Sequence, residues 1–180
     1  MKKINTANFV LIGTLILAAS LSRLITNGLH IWNVAPMAGI ALFAGANFID
    51  KKMAFIIPVV AMLITDAILG FHSSMWMVYG CFILFVFIGF ALRNKQSAVR
   101  IVTASLLSSV LFFLLTNLAV WSTENLYPHS AAGLSACYTA AIPFFWNTLL
   151  GDLFYSTVLF GGYYLLKMPI TELATRRNQK

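Results

Sequence analysis

The chain has 180 residues, of which 60% are hydrophobic and 9% are charged, with a mean hydropathy of +0.86. Soluble domains carry about 25% charged residues, and a soluble chain of this length could not bury so much apolar surface in one core. The composition therefore excludes a soluble globular domain and predicts a single all-α integral membrane domain covering residues 1–180.

Six apolar stretches are long enough to be transmembrane helices, which need about 17–25 residues. Because backbone groups in lipid must be hydrogen-bonded within their own segment, we expect helices and hence a six-helix bundle. The first stretch follows Lys2 and Lys3, as a secretory signal would, but a further span follows it and favours a membrane helix. In chain order the predicted spans are about 8–24, 35–49, 53–70, 75–92, 101–121 and 142–166.

The basic residues divide unequally between the two sets of connections. With the N-terminus in the cytoplasm, eleven of the twelve Lys and Arg residues fall inside and only Arg23 falls outside. This asymmetry predicts that both termini are cytoplasmic, in a multi-pass protein of the inner membrane. It also accounts for the net charge of +7 without a nucleic-acid partner, and the tail at 176–180 is suited to anionic lipid.

Polar or reactive side chains recur at one depth in four predicted spans. Counted at ~1.5 Å per residue from the nearest cytoplasmic basic residue, Asp66 and Asp152 lie about 21 and 22 Å into the membrane. By the same count Asn117 lies about 25 Å and Cys81 about 18 Å into it. Membrane carboxylates normally face a bundle interior or a watery cavity, so this layer predicts an outward-open pocket. Hydrogen bonds to helix backbones or to neighbouring Asn and Thr side chains are the structural alternative.

The predicted outer connections concentrate histidine and aromatic residues, above all a long third connection at 122–141. Trp and Tyr also form interfacial belts in membrane proteins, so any single aromatic residue here has that alternative role. Together with the polar layer, these connections supply the predicted substrate-binding residues: Asn33, Asp66, His72, Tyr79, Asn117, Trp121, Tyr138 and Asp152.

Two spans carry faces of small residues, which allow close helix packing. Each face is predicted either to pack inside the bundle or to dock a partner protein. They consist of Thr14, Ala18 and Ser22 in the first span and of Ala38, Ala41 and Gly45 in the second.

Common catalytic motifs are missing from the sequence. It contains no Walker P-loop, no H-E-x-x-H and no paired C-x-x-C, so neither ATP hydrolysis nor zinc catalysis nor an intrinsic cofactor is predicted. Cys81 and Cys137 are expected to be small buried residues. Two membrane aspartates leave an intramembrane aspartyl protease as an alternative. The pattern G-x-G-D is incomplete before Asp152, however, because position 149 is Leu.

Two segments carry a family resemblance. Residues 33–46 (NVAPMAGIALFAGA) and 65–72 (TDAILGFH) resemble small bacterial membrane proteins related to the solitary cobalamin-transporting, BtuM-like S-components. The six spans and inside termini are similar to S-components of energy-coupling-factor (ECF) vitamin transporters over nearly the whole chain. The resemblance implies a non-enzymatic subunit that captures a vitamin from outside. Its partners would be a membrane coupling protein with two cytoplasmic ATPases, unless it acts alone.

The resemblance also implies particular residues and a substrate. Family members contact the coupling protein through an Ala-xxx-Ala face on the first helix, and this chain departs from that pattern with Thr14, Ala18 and Ser22. Cobalamin or a related corrinoid is the leading substrate, with His72 or Cys81 as the ligand to cobalt, since imidazole and thiolate both suit such a metal. The alternatives are another vitamin or precursor, or a structural or assembly protein without a ligand.

Overall fold

The computed structural model describes the backbone of residues 6–31 and 33–177 and the side chains of residues 10–31 and 33–165. All regular structure in these ranges is helical, so the prediction of an all-α protein is confirmed. The six helices described are α1 (Thr6–Gly28), α2 (Met37–Asn47), α3 (Lys51–Leu69), α4 (Met75–Ala91), α5 (Ala98–Thr123) and α6 (Ala131–Arg177).

Among the described residues, three helical segments are long and apolar enough to cross a membrane. These are Val10–Gly28 of α1, all of α3 and all of α5. Helices α2 and α4 are also apolar but have only 11 and 17 residues. At ~1.5 Å per residue α2 is about 16 Å long, half the thickness of a ~30 Å hydrocarbon core. By length and composition, the three longer segments are candidate membrane spans.

The prediction of a long third outer connection was wrong. Helix α5 continues to Thr123 and α6 begins at Ala131, so only residues 124–130 connect them. The hydroxyl groups of Ser122 and Thr123 donate to the carbonyl of Ala119, which keeps these polar residues within the helix. Residues 131–141 are mostly small and form helix readily, but they lack the hydrophobicity by which a span is recognised in a sequence.

Helix α2 is the centre of the bundle, and its residues 37–46 are all buried. It crosses α4 with backbones in contact, because a Cβ on Gly45 or on Gly89 would overlap backbone atoms of the other helix. Of the two alternatives predicted for the face formed by Ala38, Ala41 and Gly45, the structure shows internal packing, so this face is not available to dock a partner. The other small face differs: Thr14 and Ala18 are exposed, whereas the Ser22 and Tyr155 hydroxyl oxygens lie 2.7 Å apart.

The remaining helices surround α2 in the order α1, α3, α4, α5 and α6, each contacting the next. We call the end formed by residues 48–50 and 92–97 the basic end. There Arg93 donates to the carbonyl oxygens of Gly45 and Phe48 at 2.8 and 2.6 Å. We call the opposite end, formed by residues 29–36, 70–74 and 124–130, the loop end. Glu124 joins two of its connections by accepting hydrogen bonds from Ser73 and Ser74.

Candidate functional site

A cavity of about 490 Å³ lies between the helices towards the loop end. Small-molecule sites have volumes of about 300–1,000 Å³, so the size is that of a ligand site. All six helices contribute to its lining, together with the connections 29–36 and 70–74. The short helix α2 begins at the cavity, so its first two residues, Met37 and Ala38, lie in the wall.

Phenylalanine dominates the apolar part of the lining. The Phe113 and Phe145 ring centroids lie 5.0 Å apart, and those of Phe82 and Phe112 lie 6.0 Å apart. Such ring faces and edges favour a ligand with a planar apolar part. The six rings belong to Phe82, Phe85, Phe112, Phe113, Phe144 and Phe145, on α4, α5 and α6.

The polar part of the lining contains amide, hydroxyl, imidazole, guanidinium and carboxyl groups. Asn117 donates its side-chain N–H to the carbonyl of Phe113 at 2.8 Å, which fixes the orientation of its amide. Asn33 has a positive φ of 64°, and His30 nearby has 58°. Non-glycine residues in this conformation are uncommon and concentrate at functional sites. The polar lining residues are Arg23, Thr26, Asn27, Asn33, His72, Thr116, Asn117, Thr148 and Asp152.

Asp66 is the centre of a charged cluster between α1, α3 and α4. Its Oδ1 accepts a hydrogen bond from Arg23 at 2.6 Å, and its Oδ2 accepts one from the Tyr79 hydroxyl at 2.8 Å. Arg23 also donates to Thr65. The side chain of Asp66 is 1% exposed and that of Arg23 is 21% exposed. Only Arg23 of the pair lines the cavity, so the charge of Asp66 is neutralised behind the wall.

Asp152 lies in a second polar region, between α5 and α6, and it lines the cavity directly. Its Oδ2 is 2.7 Å from the hydroxyl of Ser109. Asp152 is 3% exposed. Three further serine hydroxyls continue the region away from the cavity, and that of Ser108 has no partner among the described residues. We call this region the serine seam: Ser105, Ser108, Ser109 and Ser156.

The structure brings together four of the eight predicted binding residues: Asn33, His72, Asn117 and Asp152 line the cavity. Asp66 and Tyr79 lie behind the wall, connected to it through Arg23. The expectation that both aspartates face one cavity is therefore correct for Asp152 alone.

Trp121 and Tyr138 have structural contacts instead. The Trp121 indole donates to the carbonyl of Pro128 at 3.0 Å and packs edge-on against the His129 ring, which holds the 124–130 connection. The Tyr138 hydroxyl donates to the carbonyl of Leu114 at 2.7 Å, which joins α6 to α5. Neither residue is part of the cavity lining.

Of the two predicted cobalt ligands, the structure places only His72 at the cavity. Its ring Nδ1 lies 3.3 Å from the Ser74 hydroxyl. Cys81 is fully buried within the core and does not line the cavity, so it is not positioned to meet a ligand. Cys81 and Cys137 are both free thiols. The described residues contain no group of three or more His, Cys, Asp or Glu side chains that could hold a metal ion.

Several residues of the site were missed in the sequence. Arg23 was noted only as the exception to the charge distribution, although a lone cation among outer residues is itself a signal for a carboxylate partner. Ser105 and Ser109 are four residues apart on one helical face, which would have predicted a polar neighbour for Asp152. The neighbouring phenylalanines at 112–113 and 144–145 had no distinguishing signal in so apolar a chain.

A family model described as a family of unknown function, DUF6580, matches residues 2–173. No curated protein and no solved structure matches the chain. The match covers nearly the whole sequence, and the chain therefore belongs to this family.

Proposed function

We propose that this member of the DUF6580 family is a multi-pass membrane protein with six spans, in which the 11-residue α2 crosses the membrane together with its flanking residues, and with both termini in the cytoplasm. Short connections between successive helices support alternating directions through the membrane. Lys51, Lys52, Arg93, Lys95 and Arg100 lie at or beside the basic end, as expected for a cytoplasmic face of the inner membrane. The loop end, with the cavity beneath it, would then face outward.

The function that the geometry supports best is capture of a small molecule from the outer side. The observation that carries this proposal is the cavity, which combines six phenylalanine rings with amide and hydroxyl groups. Because Asp66 already balances the charge of Arg23, the described lining residues offer no free Lys or Arg side chain to an anionic ligand. We therefore propose an uncharged ligand with a planar apolar part and a hydrogen-bonding edge.

The resemblance to ECF S-components suggests that this ligand is a vitamin or a vitamin precursor. The cavity volume of about 490 Å³ lies in the lower half of the range for small-molecule sites, which suits a ligand of one or two rings. A whole corrinoid would leave most of its macrocycle outside the helices. Cobalamin therefore remains in the proposal as a ligand held at the mouth of the cavity, with His72 as the ligand to cobalt.

A transport partner is part of the same proposal. The chain has no ATP-binding motif of its own, so uptake against a gradient would need a coupling protein with ATPases. Thr14 and Ala18 lie exposed on α1 and would be available for such a contact, whereas Ala38, Ala41 and Gly45 are not. A solitary transporter would leave the same face towards lipid.

Mass spectrometry of small molecules extracted from the purified full-length protein tests the proposal. Phe144 and Phe154 are both exposed residues of α6, but only Phe144 lines the cavity. We expect a bound molecule in the wild type and in Phe154→Ala, and about tenfold less in Phe144→Ala, equivalent to ~1.4 kcal/mol. Equal retention by both variants, or no bound molecule in any sample, would contradict capture in this cavity.

A spectroscopic measurement separates the corrinoid from smaller ligands. Addition of cobalamin to the purified protein should shift its visible absorption bands if His72 binds cobalt, and His72→Ala should abolish that shift. An unchanged spectrum in the wild type would remove cobalamin from the proposal and leave the smaller vitamins.

Two other functions receive less support. An aspartyl protease needs two carboxyl groups that share one proton. Asp66 is instead bonded to Arg23 and Tyr79, and Asp152 is bonded to Ser109, so we do not propose proteolysis. A structural or assembly protein would leave the cavity without a specific ligand, and the mass-spectrometric experiment distinguishes that case.

A further inference from the structure

We infer that Asp152 is a proton-binding site in the cavity wall, with its carboxyl group held in the neutral form by the serine seam. The inference rests on hydrogen-bond geometry around one hydroxyl group and on the lack of a paired cation beside the carboxyl group in the part of the chain that the structure describes. It requires no ligand in the cavity, so it stands or falls separately from the proposed transport function.

The hydroxyl of Ser109 has two oxygen neighbours that ordinarily act as acceptors. Its Oγ lies 2.7 Å from Asp152 Oδ2 and 3.1 Å from the backbone carbonyl oxygen of Ser105. A serine hydroxyl has a single hydrogen to donate. If Asp152 were ionised, one hydrogen would have to serve both acceptors, or one of the two short oxygen–oxygen contacts would contain no hydrogen.

A proton on Asp152 satisfies both contacts. The carboxyl O–H then donates to Ser109 Oγ, and the Ser109 O–H donates to the carbonyl of Ser105 in the i to i−4 pattern common for serine in helices. The 2.7 Å separation is that of an O–H···O hydrogen bond, so a hydrogen lies between these two oxygens. The geometry is therefore that of a short donor chain running from the cavity into α5.

The charges around Asp152 lead to the same conclusion. Among the described residues no Lys, Arg or His side chain pairs with it, and Arg23, which lines the same cavity, is already bound to Asp66. An unpaired carboxylate is costly to bury in a membrane interior, and protonation removes that cost. Neither α2 nor residues 101–123 of α5 contain a titratable group. Apart from Asp152, the titratable residues in the cavity lining are Arg23 and His72. The elements around the cavity also contain His30, Asp66, Tyr79, Cys81 and Tyr155, which do not line it.

The reaction at this site is reversible loss of the proton. The O–H bond of the carboxyl group breaks, its electron pair stays on Oδ2, and the proton passes to water in the cavity. Because Asp152 belongs to the wall, an uncharged ligand whose hydrogen-bonding edge donates to this carboxyl group would favour the ionised form and hence loss of the proton. Ligand occupancy and proton occupancy would then be linked at a single residue.

Infrared spectroscopy of the full-length protein in lipid nanodiscs tests the inference directly. A protonated carboxyl group has a C=O stretching band that ionised carboxylates lack. We expect this band at pH 7 in the wild type and its loss in Asp152→Asn. Asp50→Asn is the matched control: it changes an exposed helix-capping residue, and asparagine caps helices equally well, so the band should remain.

A second variant keeps the test decisive if Asp152→Asn does not fold. Ser109→Ala retains the carboxyl group but removes its hydrogen-bond acceptor, so the band should move to higher frequency without disappearing. Absence of the band in the wild type at pH 7 would overturn the inference, since the hydroxyl of Ser109 would then be shared between two acceptors. Persistence of the band in Asp152→Asn would overturn it as well.

Discussion

Asp66 and Asp152 look equivalent in the sequence, since each is a lone carboxylate at similar depth in an apolar stretch, yet their surroundings differ in kind. Asp66 meets a guanidinium from α1 and a phenol from α4, both within 2.8 Å. Asp152 meets only a serine hydroxyl from α5 at 2.7 Å. One carboxylate is balanced by a cation from another helix, whereas the hydrogen-bond partner of the other, among the described residues, is a neutral hydroxyl group.

The difference shows that depth identifies a buried carboxyl group but does not determine its charge. Charge depends on the partner, and the partner of Asp66 lies 43 residues earlier in the chain. The balanced pair stabilises the junction of α1, α3 and α4 behind the cavity. The neutral carboxyl group remains available at the cavity surface, where a ligand or a proton can reach it.

Of the substitutions that test this difference between the two aspartates, removal of Arg23 should change the unfolding free energy most. Arg23→Leu leaves the Asp66 carboxylate buried without its cation, and breaking a buried ion pair in this way costs about 3 kcal/mol. The double variant Arg23→Leu/Asp66→Leu removes both charges and should be closer to the wild type in stability. Unfolding free energies of the purified proteins in detergent provide the measurement.

Which of these two variants has the larger unfolding free energy decides whether Asp66 is ionised in the wild type. If Arg23→Leu is at least as stable as the double variant, Asp66 is not held as an ion in the wild type. The two aspartates would then be alike after all. Arg23→Lys gives an intermediate case, since it retains the charge but loses the planar guanidinium that reaches Asp66 and Thr65 together.

Much of the fold followed from hydropathy alone, because apolar length and helix formation are local properties. The helices α1, α3, α4 and α5 lie close to the predicted spans. The beginning of α6 was missed because residues 131–141 are helical without being strongly hydrophobic. The central position of α2 was also not predicted, since a small-residue face indicates close packing but not which helix it packs against.

The site was predictable only in part, for a related physical reason. Asp152, Asn117, Asn33 and His72 could be proposed because polar groups are costly in a membrane and therefore conspicuous in its sequence. Whether such a group faces the cavity or a partner depends on helix rotation and on contacts between distant residues. The pairing of Arg23 with Asp66 is of that kind, and no local pattern contains it.

Hydrogen bonds to the two carboxyl groups should differ in strength, and removing them should change the unfolding free energy by an intermediate amount. Interhelical hydrogen bonds in a well-studied membrane protein average about 0.6 kcal/mol, with a maximum of about 1.7. Tyr79→Phe removes a bond to an ionised carboxylate and should lie near that maximum, because charge strengthens hydrogen bonds. Ser109→Ala removes a bond to a neutral group and should lie near the average. Chemical denaturation of both variants measures the difference, and the reverse order would contradict the charge assignment.

The smallest effect is expected for Asp152→Asn. An asparagine amide has nearly the shape of a neutral carboxyl group, and its N–H can donate to Ser109 Oγ just as the carboxyl O–H does. The unfolding free energy should therefore remain within about 0.5 kcal/mol of the wild type, the usual range for changes that disturb no contact. Asp66→Asn is the matched substitution and should be clearly destabilising, since it leaves Arg23 without its carboxylate. Stabilisation by more than about 1 kcal/mol in Asp152→Asn would indicate relief of a buried charge, and Asp152 would then be ionised in the wild type.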